Sequence, residues 1–463
     1  MTNCDLLVHG GIVVTLDEAR RIYQTGAIAI ENGRILAVGP ATDLSGTFNP
    51  ARTIDARGKV ITPGLVNAHV HMSQHLFRGY VPDDVDVSEY VFQWAIPYYS
   101  FLSPEEEYLA TLLACCDLLK KGTTLVAEAG TMRFVDACAR AIRESGIRGV
   151  LGRWAWDREE EPPAFKMETS VALEMVESVV SQYHGAPEDR IQAFASVIGM
   201  GTCSDELLIG TKEIADRYGA VMNMHQSYSV GEIEYYRDWI GFEGDPVEHF
   251  ERLGLLDPRL RLVHMVHATE QAIDLLAAHG VSVIHCDTAA LKLGLGLVHT
   301  GSFPEMVARG VSVGIGTDTV NCSNTTDVLR AAYIAATIFK DARRSVKIMP
   351  AETVLEMCTL GGARSVGQAD VVGSLEAGKQ ADLVIFDAQR PEWLPVFNVV
   401  NNLVYSADGG SVETVIIGGE IVVEDGRLTC VDEHALYREV QVAAERIAAR
   451  TGLPLQQRWP VIS

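Results

Sequence analysis

Eight short apolar stretches in the middle of the chain constrain its fold more than any other feature. Most are separated by stretches of helical character, such as 110–120, 135–145 and 204–218. The eight predicted strands are 60–69, 123–129, 149–156, 191–197, 220–225, 261–265, 281–285 and 311–318. Regular alternation of strands and helices predicts an α/β fold whose parallel strands close into a (β/α)8 TIM barrel.

Both ends of the chain have a different pattern, in which short strands meet at tight turns. Two apolar stretches flank Asn32-Gly33 near the N-terminus, and two more flank Gly418-Gly419 near the C-terminus. Such dipeptides between apolar strands indicate hairpins. The expected domains are a small composite β-sandwich formed from both termini, over 1–58 and 366–430, a barrel over 59–365, and a C-terminal helix and tail over 431–463, with the helix near 433–451.

Composition limits the partners of the chain. The 463 residues include 38 Lys and Arg against 61 Asp and Glu, a formal net charge of −23, and 48% are hydrophobic. So negative a chain is not expected to bind nucleic-acid phosphates or anionic membranes. We therefore expect a deep apolar core and a small-molecule substrate. The charged, proline-containing stretch 158–163 predicts a surface loop.

Cysteine usage and the N-terminus predict a cytoplasmic protein. The nine cysteines are scattered, and the sequence contains no Cys-x-x-Cys pair. This favours buried thiols over a disulfide framework or a cysteine-based zinc site. The first residues lack the basic start and apolar stretch of a signal peptide, and no apolar run reaches the ~18 residues of a membrane helix.

Five residues, each at the end of a predicted strand, indicate a metal site. They are His69, His71, His225, His264 and Asp318. Residues two apart on a strand point to the same face, so His69 and His71 project together. Catalytic side chains of such barrels lie at the C-terminal ends of the strands. Imidazoles with one carboxylate are typical of a mononuclear transition-metal site that activates water. We expect one divalent ion per subunit, with zinc ahead of cobalt, iron and manganese.

Motifs along the chain add a resemblance to a known family. They are 63–71 (PGLVNAHVH), 122–124 (GTT), 263–267 (VHMVH), 291–296 (LKLGLG), 316–318 (GTD) and 373–384 (GSLEAGKQADLV). In this order they resemble the amidohydrolase superfamily, in its branch of cytosine-deaminase-like and s-triazine hydrolases. The resemblance implies that His69, His71, His225 and Asp318 are metal ligands, with His264 beside the metal. It also implies a substrate contact at Gln74 and a homo-oligomer.

The chain departs from that branch at the fifth strand. Deaminases of the branch carry a glutamate three residues after the fifth-strand histidine, and Tyr228 stands there instead. That glutamate protonates a ring nitrogen, so its absence argues against ring deamination, unless Tyr228 or Glu128 takes over its role. The stretch 191–197 also lacks the lysine that would bridge two metal ions, which favours a single ion.

A finer likeness is to the phenylurea and molinate (thiocarbamate) hydrolases, which are associated with an Asn-x-His metal motif. Asn67 and His69 provide such a motif, and Asn67 shares a face with both histidines. We favour the pair His69 and His71 as ligands, because imidazole suits a borderline cation better than an amide does.

The expected reaction is hydrolysis of a carbonyl C–N or C–S bond in a small neutral urea, carbamate, thiocarbamate or amide, in the manner of herbicide degradation. The alternative is an aminohydrolase that deaminates a purine, pyrimidine or s-triazine, and the third possibility is a non-catalytic binder. Asp318 is expected to transfer protons and His264 to stabilise the developing oxyanion. Tyr228, His285 and Trp94 join Gln74 as candidate substrate contacts.

Overall fold

The computed structural model describes residues 1–158, 166–185, 189–241 and 243–462. The expected surface loop over 158–163 therefore lies, apart from Arg158, outside the described residues. In chain order the strands are β1 (Thr2–His9), β2 (Ile12–Val14), β3 (Ile22–Tyr23), β4 (Gly26–Glu31), β5 (Arg34–Pro40), β6 (Phe48–Asp55), β7 (Lys59–Pro63), β8 (Leu65–Val70), β9 (Thr123–Glu128), β10 (Arg148–Leu151), β11 (Ile191–Gly199), β12 (Val221–Gln226), β13 (Leu260–His264), β14 (Ser282–His285), β15 (Ser312–Ile315), β16 (Leu383–Asp387), β17 (Val412–Ile417), β18 (Glu420–Glu424) and β19 (Arg427–Leu428).

Helices connect and cover these strands. The α-helices are α1 (Ala41–Leu44), α2 (Val87–Glu89), α3 (Ile96–Phe101), α4 (Pro104–Leu119), α5 (Val135–Ser145), α6 (Thr169–Tyr183), α7 (Asp205–Tyr218), α8 (Val230–Ile240), α9 (Pro246–Arg252), α10 (Glu270–His279), α11 (Asp287–Lys292), α12 (Leu297–Thr300), α13 (Phe303–Ala308), α14 (Val328–Ala342), α15 (Ala351–Glu356), α16 (Gly362–Ser365), α17 (Val399–Tyr405) and α18 (Glu433–Thr451). Short 3-10 helices cover Met72–Phe77, Met200–Thr202 and Gly409–Ser411, and π-helical turns cover Tyr90–Ala95 and Met357–Gly361. Among the described residues, no helix combines the length and the apolar character that crossing a membrane requires.

The eight strands β8 to β15 form the barrel. They lie side by side in chain order and pair in parallel. The last strand returns to the first, because the backbone N–H of Asp318 donates to the carbonyl oxygen of His69 at 2.8 Å. The predicted α/β barrel is therefore confirmed. Its closure brings the C-terminal ends of the first and eighth strands, and the residues that follow them, into contact.

The predicted first strand, 60–69, is two strands that belong to different sheets. β7 pairs antiparallel with β16 and parallel with β2, outside the barrel, whereas β8 pairs with β9 inside it. The chain changes sheet at Gly64, where an added Cβ would lie 1.9 Å from the hydroxyl oxygen of Thr124. Only glycine allows this close approach. Apolar residues continue on both sides of Gly64, so the sequence pattern alone does not show that two strands meet there.

Two further sheets contain the terminal strands, as the composite sandwich requires. One has the order β5-β4-β1-β6, and the other has the order β19-β18-β17-β16-β7-β2-β3, which combines both ends of the chain. Val8, Ile30, Ile61, Leu383 and Ile416 belong to the apolar cluster that these sheets share. Burial of this cluster holds the two termini together against the entropy of the long intervening segment.

The C-terminal helix α18 matches the stretch predicted near 433–451. Asp432 caps its N-terminus by accepting from the backbone N–H of Ala435. Its buried residues Leu436, Ala443 and Ile447 join an apolar cluster with aromatic residues that follow the first barrel strand. This packing covers the segment that leads from β8 to α4.

Candidate metal centre

The first barrel strand brings two histidines to the mouth of the barrel. His69 is the second-last residue of β8, and His71 directly follows its end. Their side chains are 0% and 5% exposed, with ring centroids 5.0 Å apart. Asn67, two residues earlier, is bound differently. Its amide donates to the Thr317 hydroxyl at 2.7 Å and accepts from the Thr317 N–H at 3.1 Å. It therefore ties the first strand to the eighth, and the histidine pair faces the site.

Three other strand ends complete the group. His225 lies on β12, His264 ends β13, and Asp318 follows β15. His264 and Asp318 have positive φ angles of 81° and 59°, a left-handed backbone that side-chain-bearing residues rarely adopt. Such conformations cost about 1–3 kcal/mol each and concentrate at functional sites. Here the two strained residues, His264 and Asp318, are those whose side chains turn into the mouth of the barrel.

The Asp318 carboxylate is central to this group. Its Oδ1 lies 3.0 Å from Nε2 of His71 and 3.6 Å from Nε2 of His69, and its Oδ2 lies 4.0 Å from Nε2 of His264. The ring of His225 is 4.9 Å from that of His69 and 5.3 Å from that of His264. The structure thus brings all five predicted residues together.

The donor atoms of this group suit a transition-metal ion. Both nitrogens of His69, Nδ1 of His71 and Nδ1 of His264 are buried and have no hydrogen-bond partner among the described residues. Nδ1 of His225 lies 2.8 Å from the carbonyl oxygen of Ile198, which directs its Nε2 into the group. Buried polar atoms are normally paired, and orientation of a ligating histidine through its other nitrogen is typical of metal sites. His69, His71, His225 and Asp318 could therefore hold one ion, with His264 beside it.

Burial determines the charge of these donors. It lowers the pKa of His69 to about 3 and that of His264 to about 4, and the pKa of His225 also falls well below its usual value. Burial alone would raise the pKa of the Asp318 carboxyl, but the imidazoles of His69 and His71 beside it hold that pKa well below its usual range. Near neutral pH the imidazoles of His69, His225 and His264 are therefore neutral and the Asp318 carboxylate is ionised, the forms that bind a cation.

Gln74 lies in a buried polar network rather than in an open pocket. The Tyr90 hydroxyl donates to its Oε1 at 2.8 Å, and the amide also contacts the hydroxyls of Tyr99 and Thr319. The backbone N–H of Thr319 donates to Oδ1 of Asp318 at 2.8 Å. Gln74 therefore supports the residue that orients Asp318, and its role as a substrate contact remains a prediction.

Two aromatic residues line the group. The Tyr228 ring lies edge-on to His264, with centroids 6.0 Å apart. Glu232 holds the backbone there, since its carboxylate accepts from the N–H groups of Ser227 and Tyr228. Sequence reasoning missed Trp154. The centroid of its ring lies 5.5 Å from the ring centroid of His71 and 5.4 Å from the ring centroid of His225. Its position near the end of the predicted third strand was the available signal.

His285 and Trp94 are not brought to this group. The His285 ring lies 3.8 Å from Phe303 and 5.8 Å from Phe339, centroid to centroid, so it faces the helices α13 and α14 outside the barrel. Its strand alternates, and Cys286 faces the interior instead. Trp94 is 4% exposed and packs in the apolar cluster of α18 and α4. Neither placement supports a substrate contact.

Glu128 is a buried acid close to the group. Burial raises the pKa of its carboxyl to about 7, and the neighbouring His71 is among the groups that lower it. Its two oxygens accept from the Gly130 N–H and from the Thr131 hydroxyl, each at 2.6 Å. These bonds hold the carboxylate in its own loop.

Known proteins are similar to this chain in sequence and in fold. The Amidohydrolase family matches residues 60–422, and an imidazolonepropionase-like composite domain of bacteria matches 26–47. A 5-methylthioadenosine/S-adenosylhomocysteine deaminase of Syntrophobacter fumaroxidans is 35% identical, over 96% of this chain and 99% of that one. A 5'-deoxyadenosine deaminase of Methanosarcina mazei is 32% identical, with the same coverage.

Solved structures of other proteins have the same fold over nearly the whole chain. The crystal structure of an adenosine deaminase from Xanthomonas campestris with bound zinc is 31% identical and has a TM-score of 0.91, over 97% of this chain and 99% of that one. The zinc complex of an atrazine chlorohydrolase from Arthrobacter aurescens TC1 has a TM-score of 0.87 over 95% of this chain and 100% of that one; at 22% identity it shows the shared fold alone. The likeness to phenylurea and molinate hydrolases stays a prediction. The chain belongs to the amidohydrolase family.

Proposed function

We propose that the chain is a mononuclear metal-dependent aminohydrolase of a small nitrogen heterocycle. One divalent ion, with zinc as the expected metal, would be held by His69, His71, His225 and Asp318. The observation that carries the proposal is the group of buried imidazole nitrogens without partners around an ionised carboxylate. The relatives named as deaminases of 5-methylthioadenosine, S-adenosylhomocysteine and 5'-deoxyadenosine support an amino-bearing ring carbon as the point of attack.

Two residues would handle the protons of this reaction. A bound divalent ion supplies a nucleophile near neutral pH by lowering the pKa of water towards ~7. Asp318, ionised and oriented by Thr319, accepts the proton of the attacking water and passes it to the leaving nitrogen. His264 is neutral and 6% exposed, and it can donate to charge that develops on the substrate. Loss of one such donor typically costs ~3–4 kcal/mol of transition-state stabilisation.

Attack on an aromatic ring also needs a proton on a ring nitrogen. Resembling deaminases carry a glutamate where this chain has Tyr228. The phenol of Tyr228 is better placed for this role than Glu128, because its ring adjoins His264. Both oxygens of Glu128 are already bound in their own loop.

A second candidate is hydrolysis of a carbonyl C–N or C–S bond in a urea, carbamate, thiocarbamate or amide. The tyrosine at position 228 favours it specifically. A carbonyl carbon is attacked without protonation of a ring, so the missing glutamate would cost nothing. The remaining site chemistry is the same, and the leaving group would be an amine or a thiol.

The two candidates differ in the product released. The zinc-loaded full chain would be assayed with adenosine-type nucleosides, amino-triazines, phenylureas, thiocarbamates and amides. Ammonia from a ring amine is the expected result. Release of an aniline or a thiol, without ammonia from any ring, would overturn the first candidate in favour of the second.

Replacing Tyr228 by glutamate separates the candidates further. For a ring aminohydrolase we expect Tyr228→Glu to raise ammonia release by about tenfold or more, because a positioned general acid contributes roughly 10²–10⁴-fold. Tyr228→Phe is the matched control, and loss of the hydroxyl should reduce the same activity. Ammonia release that responds to neither change would contradict the assigned role of position 228.

A further inference from the structure

A buried thiol lies beside the candidate metal centre. Cys286 follows β14, is 2% exposed and shares the barrel interior with Ala68, Val263 and Ile284. Its sulfur, one ring nitrogen of His264 and one carboxylate oxygen of Asp318 all lie within 4.8 Å of one another. These three atoms form a compact group of potential metal ligands. The proposed reaction uses His264 and Asp318 but gives no role to Cys286.

The Asp318 carboxylate faces two sides. Oδ1 is the oxygen close to His69 and His71, whereas Oδ2 is the oxygen near Nε2 of His264. The set with Cys286 shares His264 and Asp318 with the first group and differs from it in the cysteine sulfur. A carboxylate that presents its two oxygens to different ligand groups can serve neighbouring cations, as in two-metal sites with ions about 3.5–4 Å apart.

Two buried polar groups of this set, the Cys286 thiol and the His264 ring, have an atom without a hydrogen-bond partner in the part of the chain that the structure describes. Nδ1 of His264 is buried and accepts or donates no hydrogen bond among the described residues. The Cys286 thiol also makes no hydrogen bond within the described part of the chain, although the thiol of Cys322, nearby, donates to the Thr319 carbonyl at 3.4 Å. Buried polar groups without partners are uncommon and call for a physical explanation.

A buried guanidinium bears on the affinity of such a position. Arg261 is 1% exposed, and its Nε and Nη1 have no hydrogen-bond partner among the described residues. It interacts electrostatically with the Cys286 sulfur. Burial raises the pKa of the Cys286 thiol well above its usual value, and the charge of Arg261 offsets this only in part. The same charge opposes an additional cation. A second ion should therefore bind more weakly than the first.

We propose that Cys286, His264 and Asp318 form a second, weaker site for a soft or borderline divalent cation, next to the first. A thiolate and an imidazole favour zinc, cobalt or cadmium over magnesium or calcium. Binding displaces the thiol proton to solvent and leaves a thiolate–metal bond. A second ion would also occupy His264 and Asp318, so it should inhibit turnover. Only this inhibition rests on the proposed function.

Titration of the metal-free full chain with Co²⁺ tests the site without any substrate. We expect a first equivalent to bind tightly and a second to bind more weakly, with thiolate-to-cobalt charge-transfer absorption accompanying only the second. Cys286→Ala should keep the first equivalent, lose that absorption and weaken the second equivalent by more than the roughly 10–100-fold typical of lost supporting contacts. Cys322→Ala, the matched buried control, should retain both.

Each other outcome has a definite meaning. A wild-type chain that stops at one equivalent, or a Cys286→Ala variant that keeps the second equivalent and the absorption, would overturn the second site. Cys286→Ser, a near-isosteric variant with a weaker ligand atom, repeats the test if the alanine variant does not fold. Failure to bind the first equivalent would instead contradict the proposed function.

Discussion

Replacement of His71 by alanine is expected to remove the bound metal and abolish turnover while the barrel remains folded. Nε2 of His71 lies 3.0 Å from Asp318, and the side chain projects from the end of β8 into the group of five. Without it, one of the four proposed ligands is lost, and a site that keeps a position open for water cannot compensate. Metal content by elemental analysis and activity on the identified substrate measure the two effects.

His75→Ala is the control for this variant. His75 is also buried, at 2% exposure, and lies in the 3-10 helix that directly follows His71. Its Nδ1 lies 3.1 Å from the carbonyl oxygen of Met72, outside the group of five. We expect His75→Ala to keep its metal even if it lowers stability. A His71→Ala variant with normal metal content and activity would show that the ligand set is wrong.

Asp318→Asn should lower kcat per bound metal ion by about 10²–10⁴, the range typical of a lost general acid–base group. The amide is nearly isosteric with the carboxyl group but cannot accept the proton of the attacking water. Because Asp318 is also a proposed ligand, the variant should bind metal more weakly. Activity is therefore measured at saturating zinc and divided by the bound metal.

Asp287→Asn is the matched comparison for this change. Asp287 is fully buried near His285, and burial raises the pKa of its carboxyl well above the usual value. Asp287→Asn therefore makes the same change at a buried carboxyl group that belongs to none of the proposed ligands. Its activity per metal ion should stay close to that of the unmodified chain. Equal losses in both variants would indicate a general structural effect, not proton transfer by Asp318.

The sequence was sufficient to predict the barrel and the convergence of its five polar strand ends. Parallel strands of one barrel must end at the same rim, so His69, His225 and Asp318 meet although they are far apart in the chain. Alternation along one strand similarly places His69 and His71 on one side. These inferences need only periodicity and closure, which a single sequence provides.

The remaining site residues depend on tertiary contacts that periodicity does not determine. His285 ends a barrel strand as the metal-site histidines do, yet its side chain faces Phe303 on α13, because the neighbouring residue Cys286 occupies the inner position. Trp94 lies within the long connection between β8 and α4, and this connection packs against α4 and α18. Trp154 reaches the site from a segment beyond β10 where regular pairing has ended.

The corner at Gly64 shows the same limit on a smaller scale. Apolar residues continue through it, so the pattern reads as one strand. At this corner the Thr124 side chain leaves no room for a Cβ, so only glycine fits. Contact between β8 and β9, not local propensity, decides where the barrel begins.

The most direct test of a catalytic metal ion at the barrel mouth is removal and restoration of metal in the unmodified chain. Exhaustive chelation should reduce activity to background, and one equivalent of zinc per chain should restore it. Full activity in a preparation shown by elemental analysis to contain no metal would contradict the claim that the reaction depends on a metal ion.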